Sequence, residues 1–543
     1  MILEMAATAG DRAAVTAAGR SLTAFQVLDL ARSAARRFRH YPAVIYLGAN
    51  HLGYPVALFG AALAGTPFVP VSYRLGEHQL TGILARHPGA LILRPTDLDA
   101  LLPPTGDNGG CRGDQTPSAV RDAVVGDAVV RDAAVRDAAV RDVAVPDAAV
   151  PDVAVGDAAV PDVAVLDAAV GDADPAAARD EDTPAAHDPD AVAAMIYTSG
   201  TTAEPKAAVL RHRHLLAYVL NTLEFASAGP GDAALVAAPP YHIAGLTNLL
   251  SNLYTGRRVV YQAAFDAGEW LDTVRRERIT HAMVVPTMLA RIVAEVSGDD
   301  AGTPTLRSIA YGGARTPRSV LERALRVFPT VDFVNAYGLT ETASSIAVLG
   351  PEDHRVALAA TAPEARDRLG SAGRALPGIE IEVRAADGTP LGAGSTGLVF
   401  VRGEQISGEY GASSTLDADG WFGTRDLGRV DQDGYLFVEG RADDTIIRGG
   451  ENIAPAEIED VLLAHPGIVD AAVVGVSDPE WGQQLVAVLV GEGDPAEIRR
   501  WVRDRLRSSK TPDVVVFRAE LPKTETGKLL RRVLLAELEI SHA

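Results

Sequence analysis

The sequence predicts an α/β protein of at least two domains, on three observations. Its 543 residues exceed what a single hydrophobic core accommodates. From Ser21 to about Arg94, helical patterns alternate with short apolar runs, the signature of layered helices and strands. The last stretch, from Gly440 onward, has a strand and helix pattern of its own and is long enough for an independent small domain.

The elements follow in order. LTAFQVLDLARSAARRF and YPVALFGAALAG carry helical periodicity, and AVIYL, PFVPV and ALILR are short apolar runs of strand length. Between about Arg121 and Gly171 the chain repeats every five residues (RDAVV GDAVV RDAAV), with Asp at each fifth place from Asp122 to Asp172. A period of five matches neither a strand nor a helix, so no face stays apolar. The segment, about 105–188, is expected to be a flexible acidic insertion, with an ordered solenoid or interaction element as the alternative. Ordered patterning resumes near Ala191. In the last segment, PAEIEDVLLAHP and DPAEIRRWVRDRLRSS read as helices, and AAVVGV and DVVVF as strands.

Composition narrows the function. With 71 acidic and 50 basic side chains the formal net charge is −21, which repels nucleic acid at long range. The one cysteine, Cys111, has no partner for a disulfide and no neighbouring cysteine at metal-ligand spacing. Without a basic leader or a long uninterrupted apolar run, the expectation is a soluble cytoplasmic protein with no membrane insertion.

Five motifs carry chemistry. YTSGTTAEPKAAV, Tyr197 to Val209, leads from a strand into hydroxyls and glycine and then a lysine. The hydroxyls of Thr198, Ser199, Thr201 and Thr202, with backbone N–H groups and Lys206, suit a phosphate cradle, and the Walker spacing is absent. NAYGLTET, Asn335 to Thr342, reads as a Tyr-Gly turn offering an aromatic face, a hydroxyl and a carboxylate for adenine, phosphate and Mg2+. Taken alone, it is equally an ordinary helix cap at Thr340. In FGTRDLG, Asp426 sits in an expected turn where it can accept from ribose hydroxyls. The fourth motif is GRADDTIIRGGENIAPAEIE, and the fifth is LPKTETGKLLRR, which contains Lys528.

In this order and spacing the motifs resemble the superfamily of adenylate-forming enzymes: acyl-CoA synthetases, peptide-synthetase adenylation domains and firefly luciferase. The resemblance covers nearly the whole chain apart from the repeat. It implies a large N-terminal domain, 1–440, of doubly wound sheets plus a small barrel, and a small mobile α+β domain, 441–543. It also implies activation of a carboxylic acid by ATP and Mg2+ as its acyl-AMP, then transfer to coenzyme A.

By this resemblance Thr198, Ser199, Gly200, Thr201, Thr202 and Lys206 hold the β- and γ-phosphates, and Glu341 binds Mg2+. Thr340 meets the α-phosphate. Tyr337, with Asn335, Ala336 and Gly338 of its motif and the turn Gly312, Gly313 and Ala314, forms the adenine site. Asp426 and Arg441 hold the ribose. Lys528 reaches the α-phosphate and the attacking carboxylate, Asp443 is the hinge, and Gly449, Gly450 and Glu451 line the thiol tunnel in the second step. His242 gates the acyl pocket, whose floor draws on Ile243, Gly245, Tyr311 and Ile346; as a lone histidine beside an apolar run, His242 also reads as a core residue.

Three positions depart from the family pattern: Ala203, Ala207 and Arg425 stand where glycines are usual. The rival readings are a carrier protein as acyl acceptor, nitrite as the activated anion in diazotisation of an aromatic amine, and a non-catalytic nucleotide-binding scaffold.

Overall fold

The computed structural model describes residues 1–8, 10–103, 188–198, 206–448, 451–478, 481–524, 527 and 529–542. Nearly all of the acidic insertion, with Cys111, lies outside them.

Two large sheets organise the chain up to Arg441. One has seven strands, in the order Ser413–Ser414, Glu409–Tyr410, Lys206–Arg211, Val192–Thr198, Phe68–Val71, Val44–Leu47 and Leu91–Leu93. The other has nine: Arg374–Ala375, Ser344–Leu349, Asp332–Leu339, Ser308–Gly312, His281–Val284, Ala233–Val236, Arg258–Tyr261, Ala13–Ala17 and Arg20–Thr23. Its middle strands run parallel, while Ser344–Leu349, Arg374–Ala375 and Arg20–Thr23 at its edges are antiparallel to their neighbours.

The apolar runs become strands because both of their faces are covered. In Val44–Leu47, Val44 and Tyr46 enter the central core, while Ile45 and Leu47 enter a second core on the outer face. The central core joins strand residues of both sheets, such as Phe68, Ile196, Val236 and Val334, through Ala31, Phe38, Val56 and Leu249 of the intervening helices. Helix Ala24–Phe38 begins where the sequence directs it. The Thr23 hydroxyl accepts from the Gln26 N–H at 3.1 Å, and the Gln26 side chain accepts from the Thr23 N–H at 2.9 Å.

The small barrel implied by resemblance is a four-stranded antiparallel sheet, Glu380–Arg384, Gly397–Arg402, Phe422–Val430 and Leu436–Arg441. Its core includes Val399, Val401 and Phe422 and is shared with Ile346 and Ala347 at the edge of the nine-stranded sheet. Beyond Arg441 come the hairpin Ile446–Arg448 with Glu451–Ile453 and a three-stranded sheet, Ile468–Asp478, Gly482–Gly491 and Val514–Arg518. Helices Pro455–Leu463 and Pro495–Arg503 cover one face through Ile458, Leu462 and Ile498, and helix Arg531–His542 covers the other through Leu534 and Leu538. Among the described residues, no helix is long and apolar enough to cross a membrane.

Two local expectations change. Tyr337 and Gly338 lie on the strand Asp332–Leu339, not in a turn, because antiparallel pairing with Ser344–Leu349 continues to Leu339. Asp426 likewise lies within the strand Phe422–Val430.

Candidate functional site

The carboxyl ends of the parallel strands Ser308–Gly312 and Asp332–Leu339 lie side by side, with Gly312 paired to Ala336. Open α/β sheets bind ligands at that end, where loops and helix starts expose backbone polar groups. Gly313 (φ 78°) and Ala314 follow the first strand and are exposed. A 3-10 turn, Thr340–Thr342, follows the second. Asn335 anchors this strand by donating its side-chain N–H to the Ser371 carbonyl at 2.8 Å. Gly338 has no room for a side chain, because a Cβ there would collide with the Ser344 carbonyl of the adjacent strand.

Tyr337 donates its hydroxyl to Asp426 Oδ2, and Arg441 Nη1 donates to Asp426 Oδ1 at 2.9 Å. Asp426 is buried and faces Arg441 in the register of the two strands. Burial, and secondarily the Asp426 charge, push the Tyr337 phenol well above its usual pKa, so it remains a donor. A phenol, a carboxylate and a guanidinium converge here, which suits a base and sugar hydroxyls. Beside them Arg425 holds a left-handed φ of 63°, and its Nη1 is 3.9 Å from Asp443 Oδ2.

Glu341 is only 7% exposed. Its carboxylate accepts from the Tyr410 hydroxyl, and no cationic side chain pairs with it among the described residues. A buried carboxylate without a counter-charge calls for a cation. Among the described residues no cluster of three or more His, Cys, Asp or Glu could hold a metal by itself. This donor set therefore fits Mg2+, which keeps few protein carboxylates and takes phosphate oxygens for the rest.

The phosphate-cradle strand lies next to this turn. Thr198 pairs with Lys206 across the two strands that flank the loop, and Ala208 pairs with Tyr410. Lys206 is exposed. Ser199, Gly200, Thr201 and Thr202 lie outside the described residues.

His242 immediately precedes helix Ile243–Thr255 and is partly exposed. Burial of its ring lowers the imidazole pKa to about 4, so it is neutral near pH 7. Gly245 lets the helix approach Pro239, whose carbonyl would be 2.5 Å from an added Cβ. Thr247 on the same helix contacts Ser344 Oγ at 3.2 Å, which joins this helix start to the strand behind the Glu341 turn. Tyr311 and Ile346, expected at the pocket floor, are both buried. Tyr311 is fully buried with its hydroxyl 2.9 Å from His354 Nε2, and Ile346 lies in the core shared with the four-stranded sheet.

In the C-terminal part, Asp443 lies exposed in a 3-10 turn, Ala442–Asp444. Glu451 pairs with Arg507 at 2.6 Å. Gly449, Gly450 and Lys528 lie outside the described residues. Gly527 packs against Thr287 at the start of helix Pro286–Glu295, and Arg315, next to the Gly312–Ala314 turn, pairs with Asp460. Sequence reasoning missed Tyr410, Arg315 and Asp460. None belongs to a motif read above, although Asp460 directly follows the fourth, and each contact spans a long sequence separation.

The chain matches the family model described as AMP-binding enzyme over residues 3–410, and that of the AMP-binding enzyme C-terminal domain over 457–528. A feruloyl-CoA synthase of Amycolatopsis sp is 33% identical over 535 residues, covering 95% of this chain and 94% of the relative. A 2-succinylbenzoate–CoA ligase of Bacillus licheniformis is 37% identical over 352 residues, 64% of this chain and 70% of the relative. The structure of o-succinylbenzoate CoA synthetase from Bacillus subtilis with its acyl-adenylate superposes with a TM-score of 0.73, at 24% identity, over 98% of this chain and 97% of that one.

Proposed function

Because the chain belongs to the AMP-binding enzyme family, we propose that it activates a carboxylic acid with ATP as the acyl-AMP and transfers the acyl group to coenzyme A. The observation that carries this reading is the pairing of a Tyr337–Asp426–Arg441 cluster with a buried Glu341, which no cationic side chain meets among the described residues, beside the strand that leaves the Thr/Ser/Gly loop. One part suits a nucleoside, the other a metal-bound polyphosphate.

In the first step the carboxylate attacks the α-phosphorus and pyrophosphate leaves, so anionic groups converge and oriented cations and donors must offset them. Mg2+, held by Glu341 and phosphate oxygens, would neutralise part of that charge. Lys206 and the Thr198–Thr202 loop hold the leaving phosphates, Thr340 meets the α-phosphate, and Asp426 with Arg441 fixes the ribose. Lys528 supplies a cation at the reacting phosphorus. The packing of its neighbour Gly527 against Thr287 supports this role, since it sets Gly527 on the large N-terminal part. For the second step, thiol attack, the C-terminal segment turns at Asp443 and presents Gly449, Gly450 and Glu451. His242, neutral near pH 7, borders the acyl pocket without attracting the acid electrostatically.

Pyrophosphate release across a panel of acids, with coenzyme A, a carrier protein, or nitrite plus an aminoaryl acid as the other reactant, tests this function. Thioester formation with coenzyme A is expected; turnover only with one of the other partners overturns the choice of acceptor or of activated anion. Lys528→Ala should slow acyl-AMP formation by about a hundredfold or more, as removal of a transition-state contact does. Conversion of pre-formed acyl-AMP by thiol should be nearly unchanged, and equal losses in both half-reactions would refute the lysine's role.

A further inference from the structure

The segment Gln405–Tyr410 crosses between the Glu341 turn and the strand that leaves the phosphate-cradle loop, and it is bonded to both. On the turn side, Gln405 Nε2 donates to the carbonyls of Thr342 at 2.9 Å and Ser345 at 2.8 Å. The N–H groups of Ser407 and Gly408 both donate to the Glu341 carbonyl, at 2.9 and 3.2 Å. On the strand side, the Ser407 hydroxyl donates to the Val209 carbonyl, and Glu409 takes Arg211 in a two-pronged ion pair, with Nε at 2.8 Å and Nη2 at 2.7 Å. Gln405 and Ser407 are buried. Tyr410 closes the strap: its backbone pairs with Ala208, and its hydroxyl donates to the Glu341 carboxylate.

We propose that Tyr410 is a positioning residue for Glu341. Its hydroxyl holds one carboxylate oxygen and leaves the other without a protein donor among the described residues, so the metal-binding oxygen stands at a set distance from the strand Lys206–Arg211. The strap supplies that distance, because it is bonded to both sides. A carboxylate on a short turn otherwise samples several rotamers, each presenting its oxygens differently to a cation. A neighbouring donor that selects one rotamer raises metal affinity without touching the metal. This inference rests on the proposed function only in taking Glu341 as the Mg2+ ligand.

The test is equilibrium binding to the full chain, without turnover. Binding of α,β-methylene ATP is titrated with Mg2+, and binding of AMP is measured without metal. Tyr410→Phe, which deletes one hydroxyl, should raise the Mg2+ concentration at half-effect by about ten- to a hundredfold, with AMP affinity and melting temperature unchanged. In a Glu341→Gln background, adding Tyr410→Phe should change the Mg2+ response no further. An unchanged Mg2+ midpoint in Tyr410→Phe, a parallel loss of AMP affinity, or a further loss in the double variant would each overturn the proposal. If the parent chain itself binds the ATP analogue without any Mg2+ response, the assignment of Glu341 fails as well, which separates the two failures.

Discussion

Among the described residues, three of the six non-glycine residues with positive φ lie at the site, the others being Ala18, Ala226 and Arg278. Ala343 (φ 50°) and Ser344 (φ 110°) follow Glu341, and Arg425 (φ 63°) precedes Asp426. Such conformations cost roughly 1–3 kcal/mol each and persist where surrounding bonds enforce them. Here the Thr342 hydroxyl donates to the Ser344 carbonyl at 2.7 Å and accepts from the Leu339 N–H at 2.9 Å, while Thr424 Oγ1 accepts from the Asp426 N–H at 3.1 Å. Arg425→Gly should therefore relieve about 1 kcal/mol of strain, partly offset by the unfolded-state freedom of glycine. Its ion pair with Asp443 is exposed and long, so its loss weighs little. Chemical denaturation should show a midpoint no lower than the parent's, with acyl-AMP formation retained. A large fall in that half-reaction would instead show that the guanidinium serves the phosphates.

At the scale of elements, the expected helices and strands of the first hundred residues form where periodicity indicates, because each buries a continuous apolar face or pair of faces. The errors lie where a strand continues through residues that look like turn formers: Tyr337-Gly338 and Asp426 stay within strands because neighbouring strands supply the pairing, while Arg425 keeps its left-handed backbone inside the strand Phe422–Val430. The 3-10 turn Ala442–Asp444 joins the four-stranded sheet to the C-terminal hairpin. Proline at Asp443 fixes φ near −65° and removes a backbone donor, so it restricts rotation at this turn. Asp443→Pro should keep pyrophosphate exchange and lose thioester formation; parental rates in both would place the pivot elsewhere.

Across the whole molecule, the contacts between the C-terminal part and the large N-terminal part include the Arg315–Asp460 pair and Gly527 against Thr287. Burial raises the Asp460 pKa to about 6, with Arg315 opposing the shift. Arg315 neighbours the Gly312–Ala314 turn, so the pair ties the small part to the proposed adenine site. Removing it should favour other arrangements of the two parts. Arg315→Ala and Asp460→Ala should each slow acyl-AMP formation by up to about fivefold, the scale of an exposed ion pair, and leave thiol transfer from pre-formed acyl-AMP unchanged. The double variant should be no worse than either single one. Additive losses would show that the two residues act separately.

The α/β class, the separate C-terminal pattern and the motifs that mark the family are legible in the amino-acid sequence, because hydrophobic period and short motifs are local properties of the chain. The sequence also singled out Glu341, Tyr337 and Asp426 by residue type, and Arg441 through the family resemblance. It took the folded chain to join Tyr337, Asp426 and Arg441 in one bonded cluster and to bring the Tyr410 hydroxyl to Glu341. The fold also set the neighbours of Tyr311, whose hydroxyl meets His354, and of Ile346, in the core shared with the four-stranded sheet. These outcomes depend on strand order and register, which bring together residues far apart in sequence, and no local pattern encodes which distant partner a side chain will meet.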